Sequence, residues 1–549
     1  MDRRLAIPLL LCATAAALFA AWMHPAVLDP RNIGWLLDGN DRGQSAIGMA
    51  AYLAGGSWPA LHVPLLAAPE GTSVLLTDSI PLLMLALAPL APLLPDGWQF
   101  LGLWLLLCCG LQTGFAWALV RPYAPDDVTA WRGAALLAVA PVLINRYGHP
   151  SLCAQWLVLW ALWIHADPLR NRRAAWWLAV IAAAALVHAY LLLMVLAVWG
   201  GSLLERLAKG ARLRVLAEAA AGLTLAIAIL HVEGVTGGGL ASTRTYGGRF
   251  AMALDAWVNP ANPGFTALLP SSPQRDGRGF EGLQYLGAGM ILAVAMAIAL
   301  TLRRARGAGS DAVAAAPGLA RYGWLVPGFA ALALVAIGPN PYLWGRPVAA
   351  FTLPVAVIDA LDPVRAAGRL FWPATYALGF VAIRVLLRAE RARLLLGIAL
   401  AVQLIDLAPM FRAVRATSVA AEDRTPFHRL RDPRWPGMIA AARQIDFQPA
   451  DIDIDLALME EITWQAVQAR RPVGFTYTSR LPAPTAARLA RERAAFLAGH
   501  VAPGHLVILL DGKAPAALAD RVERIDGVAF IRAGAAGSGE GRVEQPRQP

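Results

Sequence analysis

Charge is scarce in this chain. Only 15% of its 549 residues are Asp, Glu, Lys or Arg, against about 25% in an average soluble domain. That shortage excludes a disordered chain, a coiled coil and an ordinary cytosolic enzyme. Lysine is nearly missing, with Lys209 and Lys513 the two present. The formal net charge of +11 rests on arginines spread among apolar segments. Without a basic face, the chain does not read as a nucleic-acid binder. Cysteine is equally sparse. Cys12, Cys108, Cys109 and Cys153 all lie inside apolar runs, which excludes a disulfide framework. There is no zinc-type His/Cys spacing, Walker loop or Gly-x-Ser-x-Gly elbow. Gly237-Gly238-Gly239 reads as a flexible loop, not a phosphate cradle. Internal repeats and the paired broken helices of transporters are also missing.

Apolar residues, in contrast, make up 57% of the chain, and the mean hydropathy is +0.51. These values predict a mainly α, polytopic membrane bundle. A span needs about 20 mostly apolar residues. Eleven stretches qualify: 5–23, 98–120, 131–147, 151–167, 174–188, 189–205, 214–233, 284–302, 322–338, 370–387 and 394–411. The first resembles a signal peptide in length, but it lacks a clear small-x-small cleavage site and reads as a retained span. The 174–205 run reads as two short spans broken near His188-Ala189-Tyr190, with one tilted helix as the alternative.

Arginine placement tests this map, because cytoplasmic loops are enriched in Lys and Arg. With the N-terminus inside, Arg3/Arg4, Arg121/Arg132, Arg170/Arg172/Arg173 and Arg206/Lys209/Arg212/Arg214 fall on the cytoplasmic side. So do Arg303/Arg304/Arg306/Arg321 and Arg384/Arg388/Arg391/Arg393. The segment 80–94 is apolar but broken by Pro81, Pro89 and Pro92. Counting it as a span would invert every later loop, so it is predicted to lie in or near the outer interface.

The membrane domain then covers 1–411, with a first outside loop at 24–97 and a second large one at 234–283. A shorter outside loop covers 339–369. The less apolar stretch 412–532 reads as a small extracytoplasmic α/β domain. Its strands are predicted at 453–458, 473–477, 506–510 and 528–531, and its helices at 460–469, 486–498 and 514–524. The Gly-, Arg- and Gln-rich end, 533–549, reads as disordered.

The first outside loop carries Asp29, Asp38, Asp41, Glu70 and Asp78. A carboxylate at the membrane edge can take a proton from an attacking hydroxyl or help hold a divalent cation, Mg²⁺ or Mn²⁺. An acidic residue in such a loop is also, more simply, a solvated one. Arg365 and Arg369 are four residues apart at the outer mouth of the tenth predicted span, and they share a face if that span begins this early. They break the trend of inside arginines. Guanidinium groups there suit a phosphate or pyrophosphate, although snorkelling to lipid headgroups is the plainer alternative. Arg146 and His149 sit together at another outer helix end. His188, beside Tyr190, lies at membrane depth, where a polar side chain usually has a partner. Glu281 precedes the eighth span.

The layout resembles the GT-C class of integral-membrane glycosyltransferases. Within that class it is similar to a bacterial multi-pass family known mainly as a domain of unknown function. The resemblance rests on short motifs in order: Asp41-Arg42-Gly43-Gln44-Ser45-Ala46-Ile47-Gly48, Asp78-Ser79-Ile80-Pro81-Leu82 and Arg146-Tyr147-Gly148-His149. Then come His188-Ala189-Tyr190, the stretch from Glu281 to Gly287, Arg365 to Pro373, Asp432 to Trp435 and Thr476 to Arg480. Ser45 and Gln155 stand where a His would be usual. The resemblance implies a first span with its N-terminus inside, a catalytic acid in the first outside loop and a soluble domain after the last span. It further implies a polyprenyl-phosphate-linked sugar donor, a glycan, lipid or protein acceptor, and residence in the bacterial inner membrane with a periplasmic C-terminal domain. Asp41 would then be the base, Asp78 would orient the acceptor or help hold a metal, and Arg365 and Arg369 would neutralise the departing phosphate. Three rival classes remain at this level, one of them a non-enzymatic membrane scaffold for envelope assembly. A transporter or flippase would line its path with Arg365, Arg369 and His188. An O-antigen polymerase or ligase would use Arg244, Arg249, Arg275 and Arg278.

Overall fold

The computed structural model describes residues 3–56, 60–235, 243–274, 276–307 and 319–533. Gly237-Gly238-Gly239, Arg275 and all but the first residue of the predicted disordered end lie outside the described residues.

The chain is mainly helical. Among the described residues, seven helices are long and apolar enough to cross a membrane. They are Leu5–Trp22, Leu101–Tyr123, Ala189–Ala208, Arg212–Val232, Ala288–Arg306, Ala320–Ile337 and Ala392–Ala416. The other four expected spans are helical but shorter. They appear as Asp127–Ala138 (12 residues), Trp156–Ala166 (11 residues), Ala174–Ala185 (12 residues) and Trp372–Leu386 (15 residues). At about 1.5 Å per residue these are too short to cross a hydrocarbon layer of about 30 Å alone. The causes are local. Pro141 disfavours a helical Ala140 and starts a separate turn, Pro141–Ile144. Pro150 opens the 3-10 turn Pro150–Cys153, so the next helix begins only at Trp156. The 174–205 run is two helices. His188 is extended between them, and its Nδ1 caps the second by accepting the Tyr190 N–H at 3.1 Å.

The proline-broken segment forms the helix Pro81–Leu87 and runs into a 3-10 turn, Ala88–Leu93. The loop before Ala288 is fixed by one buried carboxylate. Asp406, inside Ala392–Ala416, accepts from the Tyr285 hydroxyl at 2.6 Å, the Thr266 hydroxyl at 2.6 Å and the Ala288 N–H at 2.9 Å. These bonds pin the stretch that carries Glu281 to the bundle.

The C-terminal domain holds a four-stranded sheet. Gln444–Gln448 pairs parallel with His505–Leu509. His505–Leu509 pairs antiparallel with Val528–Arg532, whose other edge takes Glu523–Ile525. Two of the four expected strands are therefore present, and two expectations fail. Residues 453–458 belong to the helix Ile452–Gln468. Their alternation of Asp with Ile and Leu imitates a strand. The aspartates instead cap helical turns: Asp451 accepts the Asp453 N–H and Asp455 accepts the Leu458 N–H. Residues 473–477 are extended but pair only through isolated bridges at Val473, to Leu66 and Ile445. The predicted helix 514–524 is a 3-10 turn, Ala516–Arg521, followed by a strand.

Candidate active site

One cavity of about 400 Å³ gathers most of the residues singled out above. Asp41, Asp78, His149 and His188 line it, as do Tyr190, Glu281, Arg365 and Arg369. Arg146 lies behind its wall. None of Arg244, Arg249 and Arg278 is among the lining residues.

Asp41 opens the helix Asp41–Gly55, capped by Asn40, whose side chain accepts the Arg42 N–H at 3.1 Å. The neighbouring Arg42 is buried and turned away, bound to Asp38 at 2.6 Å and to the Thr417 carbonyl. Asp41 is left facing the cavity with its side chain 26% exposed. Its Oδ1 accepts the Tyr477 hydroxyl at 2.6 Å, and its Oδ2 lies 3.5 Å from His149 Nε2.

Asp78 follows the turn Val74–Thr77 in a left-handed conformation, φ +54°. Its side chain accepts the Ser151 hydroxyl at 2.7 Å and faces His149 Nδ1 at 3.6 Å and His188 Nε2 at 3.3 Å. Burial works to raise its pKa, but these two imidazoles hold it well below the ordinary range. His188 uses Nδ1 as an acceptor, so Nε2 carries the proton toward Asp78. Asp78 thus orients two histidines. Asp41 is the carboxylate left accessible.

His149 sits among three acids. Burial would lower its pKa, but Asp41, Asp78 and Glu281 outweigh burial and raise it to about 9. It is therefore an imidazolium at neutral pH.

Glu281 is the anion of a buried cluster. Arg146 Nη1 donates to its Oε2 at 2.6 Å, and Arg369 binds it in a two-point fork. Burial pushes Glu281 upward, but the charges of Arg369 and Arg146 hold it far below the usual carboxylate value. Arg146, 1% exposed, also stacks 4.4 Å from the Phe280 ring and bonds the Phe280 carbonyl. The pairing expected between Arg365 and Arg369 is thus altered. Arg369 spends its fork on Glu281, while Arg365 is half-buried and its side chain makes one hydrogen bond among the described residues, to the Thr243 hydroxyl at 3.3 Å.

The C-terminal domain contributes three lining residues, Tyr477, Ser479 and Arg480. Sequence reasoning marked their stretch as a motif but gave none of them a role. Ser45 and Gln155, at the two positions where a His was expected, hold structure together. The Ser45 hydroxyl donates to the Asp78 carbonyl at 2.8 Å. Gln155 accepts the Tyr376 hydroxyl at 2.7 Å and donates to the Val142 carbonyl at 2.9 Å. The divalent cation considered from sequence finds no cage among the described residues, which contain no group of three or more His, Cys, Asp or Glu arranged to hold a metal.

Glu460, on the helix Ile452–Gln468, presses against this site from below. It is 2% exposed and accepts the Gly39 N–H at 2.9 Å. A Cβ on Gly43 would fall 2.2 Å from its carboxyl carbon, so glycine is needed for the approach. Burial, opposed by the Gly39 bond and reinforced by Asp38 and Asp41, raises Glu460 from 4.5 to about 9. The folded protein keeps a proton that the unfolded chain releases. That stabilisation is complete below about pH 4.5 and is lost as pH rises through about 9. The melting temperature should fall from about pH 6 to about pH 9, and more steeply in the parent than in Glu460→Gln. Parallel curves for the two proteins would contradict this.

Two family models match the chain. One, described as Domain of unknown function (DUF6311), covers residues 12–408. The other, the DUF6311 C-terminal domain, covers residues 434–533. No curated protein matches it.

Proposed function

This chain belongs to the DUF6311 family, and from the chemistry of its cavity we propose that it is a membrane glycosyltransferase of GT-C type. It moves a sugar from a polyprenyl-phosphate-type donor to an envelope glycan, lipid or protein on the outer face of the bacterial inner membrane. The observation that carries this reading is the meeting in one cavity of an accessible carboxylate, Asp41, with Arg365 and Arg480, which have no ion-pair partner within 4 Å among the described residues. That cavity lies at helix ends: Tyr190 stands in the first turn of Ala189–Ala208, and Arg369 just precedes Trp372–Leu386. An anionic lipid head can enter there while its tail stays among apolar side chains.

In the proposed step Asp41 takes the proton of the acceptor hydroxyl. The acceptor oxygen bonds to the anomeric carbon as the carbon–oxygen bond to phosphate breaks. The phosphate leaves with the electron pair, and configuration inverts. Tyr477 holds the other lobe of Asp41 in place. His149, oriented by Asp78, adds fixed positive charge beside the reacting groups.

The test compares glycolipids and surface glycans of a deletion strain and its parent by mass. Loss of one surface sugar together with build-up of a lipid-linked form of that sugar supports the reading. Identical glycan and glycolipid profiles overturn it.

A further inference from the structure

The cations of the cavity fall into two groups. Arg146 and Arg369 are bound to Glu281, and His149 stands among three carboxylates. Arg365 and Arg480 differ. Among the described residues neither forms an ion pair within 4 Å, although both line the cavity. Arg480 donates to the backbone carbonyls of Ser479, Asp362 and Pro363. Its Nε is buried and has no hydrogen-bond partner among the described residues. The closest acid to consider is Asp362, and its carboxylate is already engaged. It accepts the Thr243 N–H at 2.9 Å and the Thr245 N–H at 3.0 Å, with the Thr243 hydroxyl on both oxygens. Burial first, then the charge of Arg365, lowers the pKa of Arg480. Both side chains are partly buried, and two like charges lining one cavity repel unless an anion joins them.

We propose that Arg365 and Arg480 together bind a phosphate or pyrophosphate anion, so that the C-terminal domain supplies one jaw of the anion site. This rests on the glycosyl-transfer reading and names the groups that receive the donor head. The chemistry is selective. Guanidinium forks match phosphate oxygens in pairs, and a cation on each side suits an anion carrying more than one charge. Arg369 then acts behind them, fixed by Glu281. The plain alternative is that Arg480 only ties its domain to the 362–363 turn.

The experiment uses the purified full-length protein in detergent and three probes: farnesyl phosphate, inorganic pyrophosphate and farnesol. Binding is read by calorimetry, and folding by the melting temperature. Farnesyl phosphate should bind and farnesol should not. Arg365→Gln and Arg480→Gln should each weaken binding about ten- to a hundredfold, and Arg480→Lys should recover part of the loss. Arg365→Gln keeps the test open if Arg480→Gln unfolds, because Arg365 makes one side-chain bond and ties no domain. Pyrophosphate binding with the same dependence on both arginines would support the site and identify a free anion as a ligand. Wild-type affinity in well-folded Arg480→Gln, or farnesol binding as tightly as farnesyl phosphate, would overturn it. Asp41→Asn should bind farnesyl phosphate normally. If that variant also transfers sugar normally, Asp41 loses the role of base; unchanged glycan and glycolipid profiles in the deletion strain would remove the glycosyl-transfer reading while the anion site stands.

Discussion

Sugar transfer should fall by a factor of about 10²–10⁴ in Asp41→Asn, with the melting temperature unchanged. The amide oxygen of Asn can still accept the Tyr477 hydroxyl, which sits 2.6 Å from Asp41 Oδ1. Size and the hydrogen bond survive, while the negative charge and the proton affinity are lost. A second readout is independent of turnover. The Asp41 charge helps raise His149 to about 9, so in the variant His149 should release its proton at lower pH. Transfer at the parental rate would remove Asp41 from the role of base. A His149 titration that does not move would mean that the two residues do not face each other in solution.

The second large effect concerns folding. Glu281→Ala should destabilise the protein by about 3–5 kcal/mol, the usual result of leaving buried charge without its partner. Glu281 is 6% exposed and binds both Arg146 and Arg369, which are 1% and 7% exposed. Alanine leaves two guanidiniums side by side with no anion between them. The variant should melt far below the parent in detergent and be recovered in low yield. A melting temperature within about 1 °C of the parent would show that the cluster contributes little, because 1 kcal/mol shifts even a large domain by about 2–4 °C. Asp41→Asn and Glu281→Ala therefore separate chemistry from architecture within one cavity.

Much of this site is legible in the sequence for a simple physical reason. Polar groups among long apolar segments are expensive, so those present tend to have partners and purposes. Asp78, His149, His188 and Glu281 stand out on that ground, and the structure brings them together. Their pairing is less legible. Spacing puts Arg365 beside Arg369, but Glu281 captures Arg369 from 88 positions away. The role of Arg480 is decided by a domain whose docking no local pattern records. Helix type reads well in long runs such as Ala392–Ala416 and poorly around 453–458, where capping aspartates imitate strand alternation. Length is harder still. Composition marks 131–147 as apolar, but Pro141 divides it.

The bond between Tyr477 and Asp41 joins positions 436 apart. During synthesis the acid emerges early and its partner nearly last. A ribosome that stops before Tyr477 leaves the cavity without three of its lining residues, Tyr477, Ser479 and Arg480. The wall around Asp41 is therefore finished only when the C-terminal domain has been made.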